Sequence, residues 1–421
     1  MAILPNDQFY TNDSFSEIEK EFLSNLYYAY LLAKKWKKSR YVDAFSLERE
    51  KEIMTLFYLL KNNEWKPWNY TAFIIQDPVC REIFAAPFHD RIIHHLVHQY
   101  LTPVMDPRMV FDSYGARIGK WIHRWVKRVS HFLRSYKQQH TEAWIMKIDI
   151  KNFFHSINHL VLLDKIKDIL EKHPSPCPLG DDWLYTVIES IITHDPRNQV
   201  VIQGNKNDWA KLPKHKSLFF TKDDTWLPLW HLTSQLFANR YLTSLDHFTK
   251  HDLWAKYYWR YMDDMILIYH DKLTLIDRNG KIENFLKEKL FLTLHPNKFY
   301  LQESKKWVVF IWYRIHERWI VLWPRIIKNW HAKIRKWNYI IRDRKGYVDI
   351  VKIRDCMNTY FWRAQHWKNL HLRKKMYYLL HPKIQNELIP RSWYFSLRLR
   401  KKVITWKGMK SIKYYYPELF I

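Results

Sequence analysis

KYYWRYMDDMILIYH, residues 256–270, has the aromatic and β-branched composition of a buried strand, interrupted at its centre by two acidic residues, Asp263 and Asp264. WIMKIDI, residues 144–150, has the same character and carries Asp149 near its end. A carboxylate inside a buried strand is costly unless it is paired or coordinates a metal. If the two strands are neighbours, three acidic groups converge on one sheet edge. The natural reason to tolerate their repulsion is a pair of divalent cations about 3.5 to 4 Å apart. All-oxygen ligation suits Mg²⁺ and needs no histidine or cysteine.

Outward from these strands, residues 64–90 contain Pro67, Pro78 and Pro87 between the short apolar runs TAFII and REIFAA, which read as strands of a small sheet. Before them, Ser16 and Glu19 form a capping-box pattern ahead of a helix, and a second helix is predicted from about Ser46 to Leu60. Helical periodicity returns from Asp90 to about Leu101 and from Thr233 to about Lys250. A polar, proline-containing insertion is expected from about His173 to Asp224, and the last 120 or so residues read as mainly helical and basic, with HLRKKM and RLRKK clusters. His94 and His98 have the i, i+4 spacing of a metal pair but lack an H-E-x-x-H pattern, so they read as an ordinary helix face.

The 421 residues carry a formal net charge of +27, a field suited to a polyanion, most readily nucleic acid. With 47% hydrophobic residues the chain can bury a large core. No apolar run approaches the roughly 18 residues that span a bilayer, and Met1–Tyr10 lacks the order of a signal peptide, so a cytoplasmic protein without membrane attachment is expected. Cys80, Cys177 and Cys356 form no C-x-x-C pair and read as reduced structural thiols.

Tyr261-Met262-Asp263-Asp264 resembles the Y-x-D-D box of reverse transcriptases, and Asp149 to Phe154 resembles their first catalytic strand, D-x-x-x-x-F. Arg81 to Pro87 with Asp90 and Arg91 resembles the fingers motif over the incoming nucleotide. Phe111 to Lys120 resembles the next block, and Leu294 to Lys298 the motif after the catalytic hairpin. These blocks stand in family order across roughly residues 65–320. The resemblance implies an α+β right-hand polymerase: an N-terminal helical extension over 1–63, fingers over 64–140, a palm with an antiparallel sheet over 141–305, and a connection with a helical basic thumb over 306–421. It implies that Asp149, Asp263 and Asp264 are the catalytic residues and, with the Ile150 backbone, hold two Mg²⁺ ions, with Mn²⁺ as a substitute, Asp149 and Asp263 being the principal ligands and Asp264 supporting the site. By the same resemblance Phe154 would exclude a ribose 2′ hydroxyl. Arg81 would pair with the triphosphate of a dNTP, and Lys298 would neutralise or protonate the departing pyrophosphate. The partners implied are an RNA template and a DNA or RNA primer.

Most such families have a Q-G-x-x-x-S-P block, whereas this chain reads Leu229-Trp-His-Leu-Thr-Ser-Gln235. An apolar residue in the Gln place and Gln in the Pro place resemble the diversity-generating retroelement enzymes. In them, Leu229 and Gln235 would lie at the nucleotide, and Trp230 and His231 beside the template. That family copies a template-repeat RNA into error-prone cDNA, usually with a small basic accessory protein. A retron-like or phage-defence enzyme of the same fold, or an inactive nucleic-acid-binding scaffold, are the alternative readings.

One count departs from ordinary composition: 7 Gly, against roughly 29 expected at an average usage of about 7%, beside 22 Trp. Trp121, Trp226, Trp230, Trp307, Trp312 and Trp362 stand where the family has glycine, a residue that permits close approach or φ > 0. UGA codons read as glycine in the cell but translated as Trp would produce this pattern.

Overall fold

The computed structural model describes residues 15–35, 37, 39–76, 80–229, 231–316, 318–342, 348–364, 369–392 and 394–400. Met1–Tyr10, Trp230 and the end of the RLRKK cluster therefore lie outside the described residues. The chain divides into two compact units, one of 1–125 with 143–302 and the other of 126–142 with 303–421.

The first unit opens with α1 (Glu17–Lys34), α2 (Arg40–Leu47) and α3 (Arg49–Lys61). The expected capping box starts α1: the Ser16 hydroxyl accepts from the Glu19 N–H, and the Glu19 carboxylate accepts from the Ser16 N–H at 2.8 Å. The helix expected from about Ser46 to Leu60 is α3, and an additional helix, α2, capped by Ser39 and ending at its C-cap Glu48, precedes it. The two predicted strands are β1 (Thr71–Ile75) and β2 (Arg81–Ala85), paired antiparallel, and α4 (Phe88–Met105) follows, running past Pro103. The strand β3 (Ser113–Tyr114), the helix α5 (Ile122–Gln139, whose first turn belongs to this unit) and β4 (Trp144–Asp149) come next.

α6 (His159–Lys172) follows, and α7 (Asp181–Thr193) corrects the reading of 173–224 as a polar insertion. α7 buries Trp183, Leu184, Val187, Ile188, Ile191 and Ile192 in the main core, and the Trp183 indole N–H donates to the Leu60 carbonyl at 2.9 Å. At about 1.5 to 3 kcal/mol for each large apolar side chain buried, that one helix outweighs the polarity of the segment around it. Beyond it, β5 (Val201–Ile202) adds in parallel to β1.

The sheet that matters most has the order β3-β6-β7-β4-β8, with β6 (Tyr258–Tyr261), β7 (Asp264–Tyr269) and β8 (Tyr300–Glu303). β7 runs antiparallel to both β6 and β4, in a register that sets Asp149 directly opposite Asp264. α8 (Leu232–His247) and α9 (Lys272–Leu290) pack on it, α8 also against α4 and α6. Met146, Ile148, Tyr258, Met265 and Leu267 face that helical core. Strand alternation therefore turns Lys147, Asp149 and Asp264 to the opposite face.

The second unit holds β9 (Val308–Phe310), β10 (Tyr313–Ile315) and β11 (Ile320–Leu322) as a three-stranded antiparallel sheet. The helices α10 (Pro324–Arg342), α11 (Ile350–Ala364), α12 (Leu370–Tyr378) and α13 (Pro382–Glu387) follow, then the hairpin of β12 (Leu388–Arg391) and β13 (Ser396–Leu399). The described residues of this stretch are mainly helical, as expected, and the short strands are an addition to that reading. Trp330 of α10 is buried, stacked on Tyr360 at 5.1 Å, with its indole N–H on the Met357 sulfur. No helix among the described residues is long and apolar enough to cross a membrane.

Candidate active site

The end of β4 and the β6–β7 turn meet at a cavity of about 660 Å³. The Ile150 N–H donates to the Asp263 carbonyl at 3.3 Å, which holds the turn against the chain leaving β4. The Lys151 N–H donates to the Thr293 carbonyl and the His295 N–H to the Asp149 carbonyl, at 2.9 and 2.8 Å, so the segment after α9 is stapled to the same strand end. That staple leads into the short turn Pro296–Lys298 and brings the Lys298 ammonium to 2.9 Å from both carboxylate oxygens of Asp149. Asp149, Asp263 and Lys298 all line the cavity, with the residues Ile150, Phe154 and Arg81.

The electrostatics are those of carboxylates crowded into low dielectric. Burial, then the charges of Asp264 and Asp149, push the Asp263 carboxyl up to about 7. Burial also raises Asp264, against the pull of Lys147, whose ammonium stands 3.2 Å from it. Burial works against the charge of Lys298, but its hydrogen bond to Asp149 and the fields of Asp149, Asp263 and Asp264 outweigh that and hold it above the usual lysine value. Two lysine ammoniums thus stand against acidic groups where cations are electrostatically favoured. The donor set is hard oxygen, which fits Mg²⁺ or Mn²⁺. No cluster of three or more His, Cys, Asp or Glu side chains within ion-holding reach is found among the described residues.

A family model described as reverse transcriptase (RNA-dependent DNA polymerase) matches residues 80–312, more than half of the chain. The chain belongs to the reverse transcriptase family. Its α+β architecture is accordingly the right-hand polymerase fold. Among solved structures, this reverse transcriptase is similar to apo telomerase from Candida tropicalis truncated from its C-terminal domain: 12% identity, 64% of this chain and 59% of that one covered, TM-score 0.42. It is also similar to telomerase from Candida albicans in complex with a TWJ fragment of telomeric RNA: 11% identity, 76% and 64% covered, TM-score 0.43. The chain thus spans less than two thirds of the length of these solved chains. No curated protein matches it.

Of the residues expected at the reverse transcriptase site, Leu229 and Gln235 also line the cavity, on the approach to α8 and on its first turn. Asp264 does not line it, and is turned to Lys147 instead. His231 corrects the expectation that it faces a template. It is buried, its Nε2 is 2.8 Å from the Phe84 carbonyl, and its ring packs on His94 and Tyr70. Burial pushes its pKa down to about 4, so it is a neutral brace between β2 and α8. His94 and His98 go to different partners, Thr233 and Thr102.

The tryptophan set divides. Among the described residues, none of Trp121, Trp226, Trp307, Trp312 and Trp362 has a positive φ, so a left-handed backbone is not what those positions demand. Trp226 is buried among Tyr70, Phe84 and Leu218, and its ring meets His159 at 4.9 Å, a packed role that glycine would leave as a void. Among the described residues the tryptophan with a left-handed φ, +51°, is Trp254, 82% exposed and not anticipated.

Sequence reading missed Lys147 and Arg260. A signal for each was present: Lys147 stands two before Asp149 and shares its strand face, and Arg260 is a cation inside an apolar strand, costly unless paired. Gly115 was passed over as well. Its φ is +93°, and a Cβ there would lie 2.8 Å from the Met262 sulfur, so only glycine lets this loop close on the β6–β7 turn.

Proposed function

We propose that this chain is a cation-dependent, RNA-templated DNA polymerase, and that it serves a diversity-generating retroelement as an error-prone copier of a template-repeat RNA. The observation that carries the first part is the single cavity shared by Asp149, Asp263, Arg81, Phe154, Gln235 and Lys298, side chains that come from five separate stretches of sequence. Asp149, Asp263 and the Ile150 carbonyl would hold two Mg²⁺ ions, or Mn²⁺ in their place, which when bound supply the Lewis acidity for a primer 3′ hydroxyl and a leaving pyrophosphate. Arg81, exposed at the start of β2, offers a planar guanidinium to the triphosphate of a dNTP. Phe154, which lines the cavity, would be the bulky ring that excludes a ribose 2′ hydroxyl. Lys298 supplies a proton or a positive charge to the departing pyrophosphate. Asp264 acts indirectly, by fixing Lys147 across the strand pair.

The retroelement reading rests on Leu229 and Gln235. An apolar residue in place of an amide beside the nascent base pair removes a polar contact, and with it selectivity. An RNA template, a DNA or RNA primer and a small basic accessory protein are the partners, and we place the protein in the cytoplasm. Primer extension on an RNA template tests both parts. Template-dependent dNTP incorporation that Asp263→Ala abolishes is expected, with misincorporation concentrated opposite template adenines. Equal product from wild type and Asp263→Ala leaves a nucleic-acid-binding scaffold, and faithful copying of adenines points to a retron-like or phage-defence enzyme.

A further inference from the structure

Arg260 is fully buried on β6, two residues before the Met262–Asp263 turn, and every N–H of its guanidinium is used. Nε and Nη2 form a two-pronged pair with Asp246 of α8, at 2.8 and 2.6 Å, and Asp246 is equally buried. Nη2 also donates to the Ser113 hydroxyl of β3 at 3.0 Å. Nη1 donates to the Asn239 side-chain oxygen at 3.1 Å and to the Met262 carbonyl at 2.8 Å. Five donors thus meet five acceptors. The acceptors are held in turn: Tyr258 donates its hydroxyl to Asp246 at 2.6 Å, and the Asn239 amide donates to the Gly115 carbonyl at 2.9 Å.

Such a pair is expensive to desolvate, and an apolar side chain would pack a strand interior as well or better. What it supplies here is a fixed position for one peptide group. Met262 has a left-handed φ of +53°, strained for a long side chain, and its turn carries Asp263. The Met262 N–H donates to the Tyr114 carbonyl at 3.2 Å and the Asp263 carbonyl accepts from Ile150, which leaves the Met262 carbonyl to be tied down by Arg260. Without that bond the Met262–Asp263 peptide is free to rotate toward a less strained turn, taking the Asp263 side chain with it.

We propose that Arg260, oriented by Asp246, is a positioning residue that locks the Met262–Asp263 peptide and thereby sets the Asp263 carboxylate in the shared cavity. The inference rests on the polymerase reading of that cavity. Lysine cannot replace arginine, because one ammonium cannot serve Asp246 and the Met262 carbonyl through a planar fork.

The test uses the full chain, an RNA template with an annealed DNA primer, dNTPs and Mg²⁺, comparing wild type, Asp263→Ala, Arg260→Lys and Asp246→Asn. Binding of the primer–template is followed by fluorescence anisotropy as the readout of fold. Both network variants are expected to bind primer–template within about threefold of wild type and to lose at least about 10²-fold in kcat, the cost of a small misplacement of a reacting group. Their dNTP KM should stay within about threefold, and their half-saturating Mg²⁺ concentration should rise. Wild-type kcat in a folded Arg260→Lys variant overturns the proposal. So does loss of binding in both variants, which assigns the network to stability alone. If wild type itself extends no primer, the polymerase reading fails and takes this inference with it.

Discussion

The Lys298 ammonium stands 2.9 Å from both carboxylate oxygens of Asp149, a partner 149 positions away in sequence. Half-exposed itself, Lys298 compensates a carboxylate that is nearly buried. On the polymerase reading it must leave that carboxylate when cations bind, and is then free to meet the pyrophosphate. Lys298→Met is therefore expected to lower kcat by roughly 10²-fold, the usual scale for a lost general acid, with little change in dNTP KM. Rapid-quench single-turnover kinetics would check it, and an unchanged kcat would restrict Lys298 to holding Asp149.

The three acidic residues are not equivalent. Asp263 lines the cavity, whereas Asp264 faces Lys147 at 3.2 Å. Asp263→Asn should reduce primer extension by about 10³-fold or more, and Asp264→Asn by only about tenfold. Equal losses for the two would contradict this division of roles.

Phe154 borders the same cavity as Arg81 and Gln235. Trimming it with Phe154→Val should raise the incorporation of ribonucleotides relative to deoxynucleotides by about 10²-fold, the range a steric contact in an apolar pocket supplies. Competition assays with matched ATP and dATP measure the ratio directly.

Asp90 gives the first unit a stability that depends on pH. Burial pushes its carboxyl up to about 8, against the pull of the Trp68 N–H it accepts from at 2.9 Å. A free aspartate titrates near 3.9. Between those values the folded state holds a proton that the unfolded state has lost, so stability falls as pH rises, by up to about 1.4 kcal/mol per pH unit from this group. Asp90→Asn keeps an acceptor for Trp68 and removes the titration. Urea midpoints from pH 5 to pH 8 should decline more steeply for wild type than for the variant.

Trp254 combines a φ of +51° with 82% exposure, so its indole gains almost nothing from burial while its backbone is strained. Trp254→Gly should stabilise the protein by about 1 kcal/mol, the relief of left-handed strain less the added entropy of the unfolded chain. Intact mass of the natively expressed protein addresses the wider question of the tryptophan excess. A mass equal to that of the written sequence excludes glycine at Trp121, Trp226, Trp230, Trp307, Trp312 and Trp362.

The elements that were legible in sequence are those where local chemistry and periodicity agree. The strand runs around Asp149 and Asp263, the Ser16 cap and the antiparallel pair of 71–75 and 81–85 are of this kind. α7 was hidden because its apolar stripe is embedded in a polar, proline-bearing segment. The sheet of 308–322 was hidden because strands of three residues carry too short a pattern to count.

The sequence by itself determined that acidic residues interrupt two apolar, strand-forming runs, that the surface is strongly basic, and that the motifs stand in the order of one polymerase family; that the run of 256–270 is a hairpin, β6 and β7, with Asp263 in its turn, was not legible there. Those properties are local, or additive along the chain. The tertiary structure alone decided which groups meet: Lys298 on Asp149, Lys147 on Asp264, His231 turned away into the core, and Arg260 with Asp246 clamping the turn that carries Asp263. The first three of these pairings close loops between segments more than 100 residues apart, and the last joins β6 to the helix before it. Whether a charge is neutralised, buried or offered to a ligand depends on that closure and is not encoded in the residues that flank it.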